Sequence, residues 1–217
     1  MNDIKDIEIL KNSECTLKET SKDDHDLKNI EYMTFSEKIV INFDKVKEKY
    51  VESLSNNLSL SETPSSSDAL YIADDEEMYF IEFKNGMMSK KDIFEVRLKI
   101  FDSLLTLTDI INKNVSFTRQ NLSYILVYNE TKNQLTEEIF AEEHKKEKFT
   151  EKEIDELWLS HLRYRFAMRL GRRSEKEYNF IRFSLRRFKN LYFKNVFTLN
   201  QKEFENQFVK KWENYAY

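Results

Sequence analysis

The spacing of apolar and polar positions divides the chain into strands and helices of different character. Leu122-Ser123-Tyr124-Ile125-Leu126-Val127-Tyr128 is nearly continuously apolar, the pattern of a strand buried on both faces of a sheet. Ala69-Leu70-Tyr71-Ile72-Ala73 and Met78-Tyr79-Phe80-Ile81-Glu82-Phe83-Lys84 are β-prone runs separated by a short acidic stretch, which predicts a hairpin. Lys38-Ile39-Val40-Ile41-Asn42-Phe43 has strand composition as well. Between these runs the period lengthens. From Asp44 to Leu58, the residues Val46, Tyr50, Val51 and Leu54 fall on one side of a helix. Ser89, with Asp92 three residues on, opens a long helix. Its apolar face holds Ile93, Val96, Ile100, Phe101, Leu104, Leu105, Leu107, Ile110 and Ile111, ending near Asn112.

Beyond Glu130 the pattern turns helical and charged. Thr136 begins one helix, and Thr150/Glu153, Ser174/Glu177 and Asn200/Glu203 match the capping spacing. Behind them lie three stripes: Ile154, Leu157, Trp158 and Leu162; Tyr178, Ile181, Leu185, Phe188 and Leu191; and Phe204, Phe208 and Trp212, with Tyr215 near the end. Phe197-Thr198-Leu199 fits a short edge strand. Ser53 to Ser67, which holds the only proline, Pro64, is a loop by composition. The chain therefore divides into a polar N-terminal arm over 1–35, solvated or packed on the body, an α/β core over 36–130, and a helical extension over 131–217. Helix, hairpin, helix and buried strand in that order define an α/β fold.

Composition narrows the chemistry. Lys and Arg number 35 against 39 Asp and Glu, so the net charge of -4 gives no global attraction to nucleic acid, and any such site must be a local patch. With Cys15 alone there is no internal disulfide and no cysteine-rich zinc site. Two glycines, Gly86 and Gly171, leave no phosphate-binding glycine loop. The start, Met1-Asn2-Asp3-Ile4-Lys5-Asp6, lacks a basic and an apolar segment, and no apolar run approaches the roughly 20 residues that cross a bilayer. A cytoplasmic protein without membrane contact is the expectation.

The candidate chemistry lies on the hairpin. Glu82 and Lys84 project from the same side of their strand. If the turn comprises Asp74, Asp75 and Glu76, Ala73 faces Glu77 and Asp68 faces Glu82, bringing two carboxylates to roughly 5 Å between Cβ atoms. A four-residue turn would shift that register. Facing carboxylates repel unless a cation lies between them, and a hard dication such as Mg²⁺ meets that need. A lysine two residues along can hold a water or stabilise charge on a phosphate.

Asp68…Glu82-Phe83-Lys84, on a hairpin that feeds an amphipathic helix and then a buried strand, resembles the PD-(D/E)XK nuclease superfamily. The likeness covers roughly residues 44 to 128, with Ser67 standing where the family motif has proline. It implies a restriction-endonuclease-like αβββαβ core with a helical, Arg-rich C-terminal extension. It also implies catalysis by Asp68, Glu82 and Lys84. Mg²⁺ or Mn²⁺ would be held by Asp68, Glu82 and the main-chain carbonyl of Phe83, with Glu48 or Glu52 completing the site.

A second feature is the block from His161 to Asn195, where eleven basic residues face two acidic ones, a local charge of +9. Arg163, Arg165, Arg169, Arg172, Arg173, Arg182, Arg186, Arg187 and Lys189 are the candidates for holding a phosphate backbone. The expected function is thus metal-dependent hydrolysis of phosphodiester bonds, DNA being the expected substrate and a homodimer the arrangement that would cut both strands. The alternative is a catalytically silent module of the same fold, binding nucleic acid or a protein partner as an immunity or regulatory factor.

Overall fold

The computed structural model describes residues 4–23, 28–55, 62–73, 77–145, 149–169 and 181–214, the side chains of 161 and 164–169 excepted. Its strands are β1 (Glu14–Thr16), β2 (Lys22–Asp23), β3 (Glu31–Tyr32), β4 (Ile39–Asn42), β5 (Ala69–Ile72), β6 (Met78–Lys84), β7 (Leu122–Tyr128) and β8 (Asn195–Asn200). The helices are α1 (Glu8–Lys11), α2 (Leu17–Thr20), α3 (Phe43–Ser55), α4 (Lys90–Ile110), α5 (Val115–Asn121), α6 (Glu137–Lys145), α7 (Glu151–Arg169), α8 (Gln201–Phe204) and α9 (Lys210–Asn214). A π-helical turn, Glu205–Val209, joins the last two.

Six strands form one mixed sheet in the order β1-β4-β5-β6-β7-β8, while β2 and β3 pair separately. Pairing is antiparallel from β1 to β6 and parallel from β6 through β8. A parallel neighbour for β6 requires a crossover, which α4 and α5 supply. All seven residues of β7 are buried. Leu122, Tyr124, Leu126 and Tyr128 enter the core under α3 and α4, and Ile125 and Val127 enter the core under the C-terminal helices. The protein is therefore α/β, with helices on both faces of the sheet.

Local signals and structure agree at the long elements. Ser89 caps α4, its side chain and that of Asp92 exchanging hydrogen bonds with each other's backbone N–H, and Asn200 with Glu203 does the same for α8. The hairpin pairs Ala69 with Ile81 and Leu70 with Phe80, and the Ala73 N–H donates to Glu77 O at 2.8 Å. This is the register that puts Asp68 beside Glu82. Residues 74–76 lie outside the described residues. The Phe197 segment is a six-residue strand at the edge of the sheet, parallel to β7.

Several expectations need correcting. The first 35 residues do more than form an arm: β1 pairs with β4 at the edge of the sheet, and Leu10 and Leu17 are fully buried. The polar connection after α4 contains a helix, α5, capped by Asn114. The stripe from Tyr178 to Leu191 is not one helix. Tyr178 lies outside the described residues, and Phe183, Ser184 and Asn190 have φ of 59°, 53° and 62°, which no right-handed helix accommodates. Ile181, Leu185 and Phe188 are nonetheless buried, held by an irregular chain with one 3₁₀ turn, Arg186–Phe188. On α4 the buried stripe is Val96, Ile100, Leu104 and Leu107, whereas Leu105 is 64% exposed, because the sheet covers only one side of the helix.

The C-terminal helix seals the other face. Trp212 packs on Tyr71 at 4.2 Å and on Tyr79 at 5.4 Å between ring centroids, and Phe204 meets Phe83 at 5.8 Å. Tyr215 lies outside the described residues. Among the described residues no helix is long and apolar enough to cross a membrane.

Candidate functional site

The strand ends assemble a charged cluster at the wall of a cleft of about 690 Å³. Asp68 closes the serine-rich loop immediately before β5, where its carbonyl accepts the N–H of Phe43. That loop is fastened at its end: the Ser66 hydroxyl donates to Asp44 Oδ1, and the Ser67 N–H donates to Ser103 Oγ at 2.7 Å. Asp68 Oδ2 accepts the Phe83 N–H at 2.6 Å, so the carboxylate is clamped to β6 where the β5 ladder stops. Glu82, inside β6, is fully buried.

Two ammonium groups meet these carboxylates. Lys84 Nζ lies 3.3 Å from Glu82 Oε1, as expected for neighbours on one face of a strand. Lys99, from α4, bridges the pair, with Nζ 3.2 Å from Asp68 Oδ1 and 2.8 Å from Glu82 Oε1. Glu82 Oε2 is buried with no hydrogen-bond partner. Burial, then the charge of Glu82, pushes the Asp68 carboxyl up to about 7, against the pull of Lys99 and the Phe83 N–H. Burial works against the Lys99 charge, but the two carboxylates outweigh it and hold the ammonium above its ordinary value. Tyr124, buried on the neighbouring strand, is a neutral phenol, kept so by burial and by the Glu82 and Asp68 charges.

Sequence reasoning missed Lys99. Its signal was a charge on the apolar side of a helix, three residues after Val96 and four before Ser103, both buried. It also missed Asp44, which lines the cleft from the first turn of α3 and whose charge further raises the Asp68 carboxyl. Glu48 and Glu52, the acids expected to complete the site, are solvent-exposed farther along α3 and do not line the cleft.

Would these residues hold a divalent metal? Among the described residues no three His, Cys, Asp or Glu side chains converge for that purpose. Mg²⁺ does not require such a cage, because it binds through one or two carboxylates and keeps several waters. The Asp68–Glu82 pair, with an unspent carboxylate oxygen on Glu82, meets that requirement once Lys99 is out of the gap.

The basic block is divided. Arg182 is buried, donating to Asn133 O at 2.7 Å with its guanidinium 5.0 Å from the Tyr128 ring centre and 4.6 Å from that of Phe183. It is a structural residue rather than a backbone contact, because a buried guanidinium cannot reach a phosphate. Arg163, Arg186 and Arg187 are exposed, and Lys189 is half-buried. Arg186 stacks over Phe149 and Arg187 over Phe188. Arg172 and Arg173, and the side chains of Arg165 and Arg169, lie outside the described residues.

No protein-family model, curated protein or solved structure matches the chain.

Proposed function

We propose that this protein is a metal-dependent nuclease of restriction-endonuclease-like fold, acting on phosphodiester bonds in DNA. The observation that carries the proposal is the convergence of Asp68, Glu82 and Lys84 at the ends of paired strands, with Asp68 and Lys84 lining a cleft and Glu82 buried behind them. Asp68 and Glu82 would hold Mg²⁺ or Mn²⁺, with the Phe83 carbonyl as the main-chain donor, and the bound ion would supply a lowered water pKa and Lewis-acid stabilisation of the phosphoryl oxygens. The Phe83 N–H keeps the Asp68 carboxylate aimed at the cleft. Lys84, about a fifth exposed, can place its ammonium against an entering phosphate. Arg163, Arg186, Arg187 and Lys189 would add backbone contacts.

One observation favours a second reading, a catalytically silent module of the same fold. Two ammonium groups already balance the two carboxylates, so the cluster is charge-complete without a metal. Cleavage of plasmid and single-stranded DNA with Mg²⁺, Mn²⁺ or EDTA, comparing wild type with Glu82→Ala and Lys84→Ala, separates the two. Cutting that needs metal and is lost in both variants supports the nuclease. A folded wild type that cuts neither substrate in any metal leaves the silent module.

A further inference from the structure

We infer that Lys99 is the resident occupant of the dication position, so that its ammonium and a divalent metal compete for Asp68 and Glu82. The inference rests on the metal-site reading above and concerns how that site loads. Of the two lysines, only Lys99 touches both carboxylates, at 3.2 and 2.8 Å; Lys84 reaches Glu82 alone. A cation that bridges two ligands stands where a shared metal would stand. A dication entering without displacing it would face two ammonium groups at contact distance, against carboxylates whose charge is already balanced.

The geometry also gives Lys99 a way out. Its side chain is about a quarter exposed and lines the cleft, and its four-carbon stem can swing the ammonium into water without moving the backbone of α4. The ammonium leaves Glu82 Oε2 unsatisfied, so the present occupant uses the donor set incompletely. Because Lys99 is tethered, it competes at a high effective concentration and keeps the metal affinity low.

The test is Mn²⁺ titration by calorimetry of wild type, Lys99→Met, Lys99→Arg and, as a charge control, Lys90→Met, whose side chain is exposed in the first turn of the same helix and does not line the cleft. Lys99→Met should tighten Mn²⁺ binding by about tenfold or more, and Lys99→Arg, whose planar fork grips paired carboxylates more firmly, should weaken it by about tenfold. Lys90→Met should leave it unchanged. The inference is overturned if Lys99→Met binds no more tightly than wild type, if Lys99→Arg binds as tightly, or if Lys90→Met tightens binding equally. Should Lys99→Met fail to fold, the arginine variant decides, because it keeps the charge. An affinity order that holds in a protein that cuts no DNA sinks the nuclease and leaves this inference standing. Metal-dependent cutting with an affinity indifferent to residue 99 does the reverse.

Discussion

Lys99→Met keeps the unbranched stem and removes the charge, so it isolates what the ammonium contributes to the fold. Glu82 is fully buried, and the side chains of Asp68 and Lys99 are 17% and 24% exposed, so water does little to replace the lost partner. Removing one member of a buried ion pair costs about 3–5 kcal/mol. Proton uptake sets a ceiling on that cost. One carboxyl group can bind a proton instead of staying charged, and holding a group of ordinary value near 4 protonated at pH 7 costs about 1.4 kcal/mol for each of roughly three pH units, or about 4 kcal/mol. At pH 5 the same ceiling is about 1–2 kcal/mol. The sign follows: Asp68 already holds a proton below about 7 in wild type, so the proton taken up without Lys99 is a second one, and the variant loses stability faster than wild type as pH rises. Urea denaturation of both proteins at pH 5 and pH 7 reads the difference. A loss of the same size at both pH values would refute the reasoning, since it would trace to packing of the stem. A loss below about 1 kcal/mol at pH 7 would mean that no ammonium bridges the carboxylates.

Asp68→Asn should flatten part of the pH profile. The folded protein holds the Asp68 proton up to about 7, whereas an ordinary aspartate releases it near 3.8, so wild-type stability falls as pH rises through that interval. Melting temperatures from pH 4 to 8 check this, and a fall of equal size in the variant would assign it elsewhere. Trp212→Ala should cost about 3–5 kcal/mol in urea denaturation, because its ring closes the core on the side of the sheet opposite α4. Leu10→Ala should cost about 2–5 kcal/mol, which a mere N-terminal arm would not show. Ser89→Ala should cost about 1 kcal/mol through the lost α4 cap, measured the same way.

The elements that could be read from the sequence are those whose evidence is local. β7 declared itself because a strand covered on both faces is apolar throughout. The α4 cap declared itself because Ser89 and Asp92 satisfy orphan N–H groups only at that spacing. The hairpin declared itself through its two β-prone runs, but its register, and with it the meeting of Asp68 and Glu82, hung on whether the turn holds three residues or four, which the strand pairing decided. Backbone geometry and solvation over a few residues determined these features. What the tertiary structure alone decided is everything that depends on a distant neighbour. The continuous helix expected through Ile181 and Leu185 breaks at Phe183 and Ser184, because burial of those side chains against the sheet outweighs a helical period that other folds can also satisfy. Arg182 belongs to a patch by composition, yet Tyr128 and Asn133, about fifty residues upstream by numbering, take it out of water. Lys99 looks like one more charge on a helix until the crossover from β6 to β7 lays that helix over the strand ends. There the two carboxylates of the hairpin need a cation, and the fold supplies one from a residue far from either in sequence.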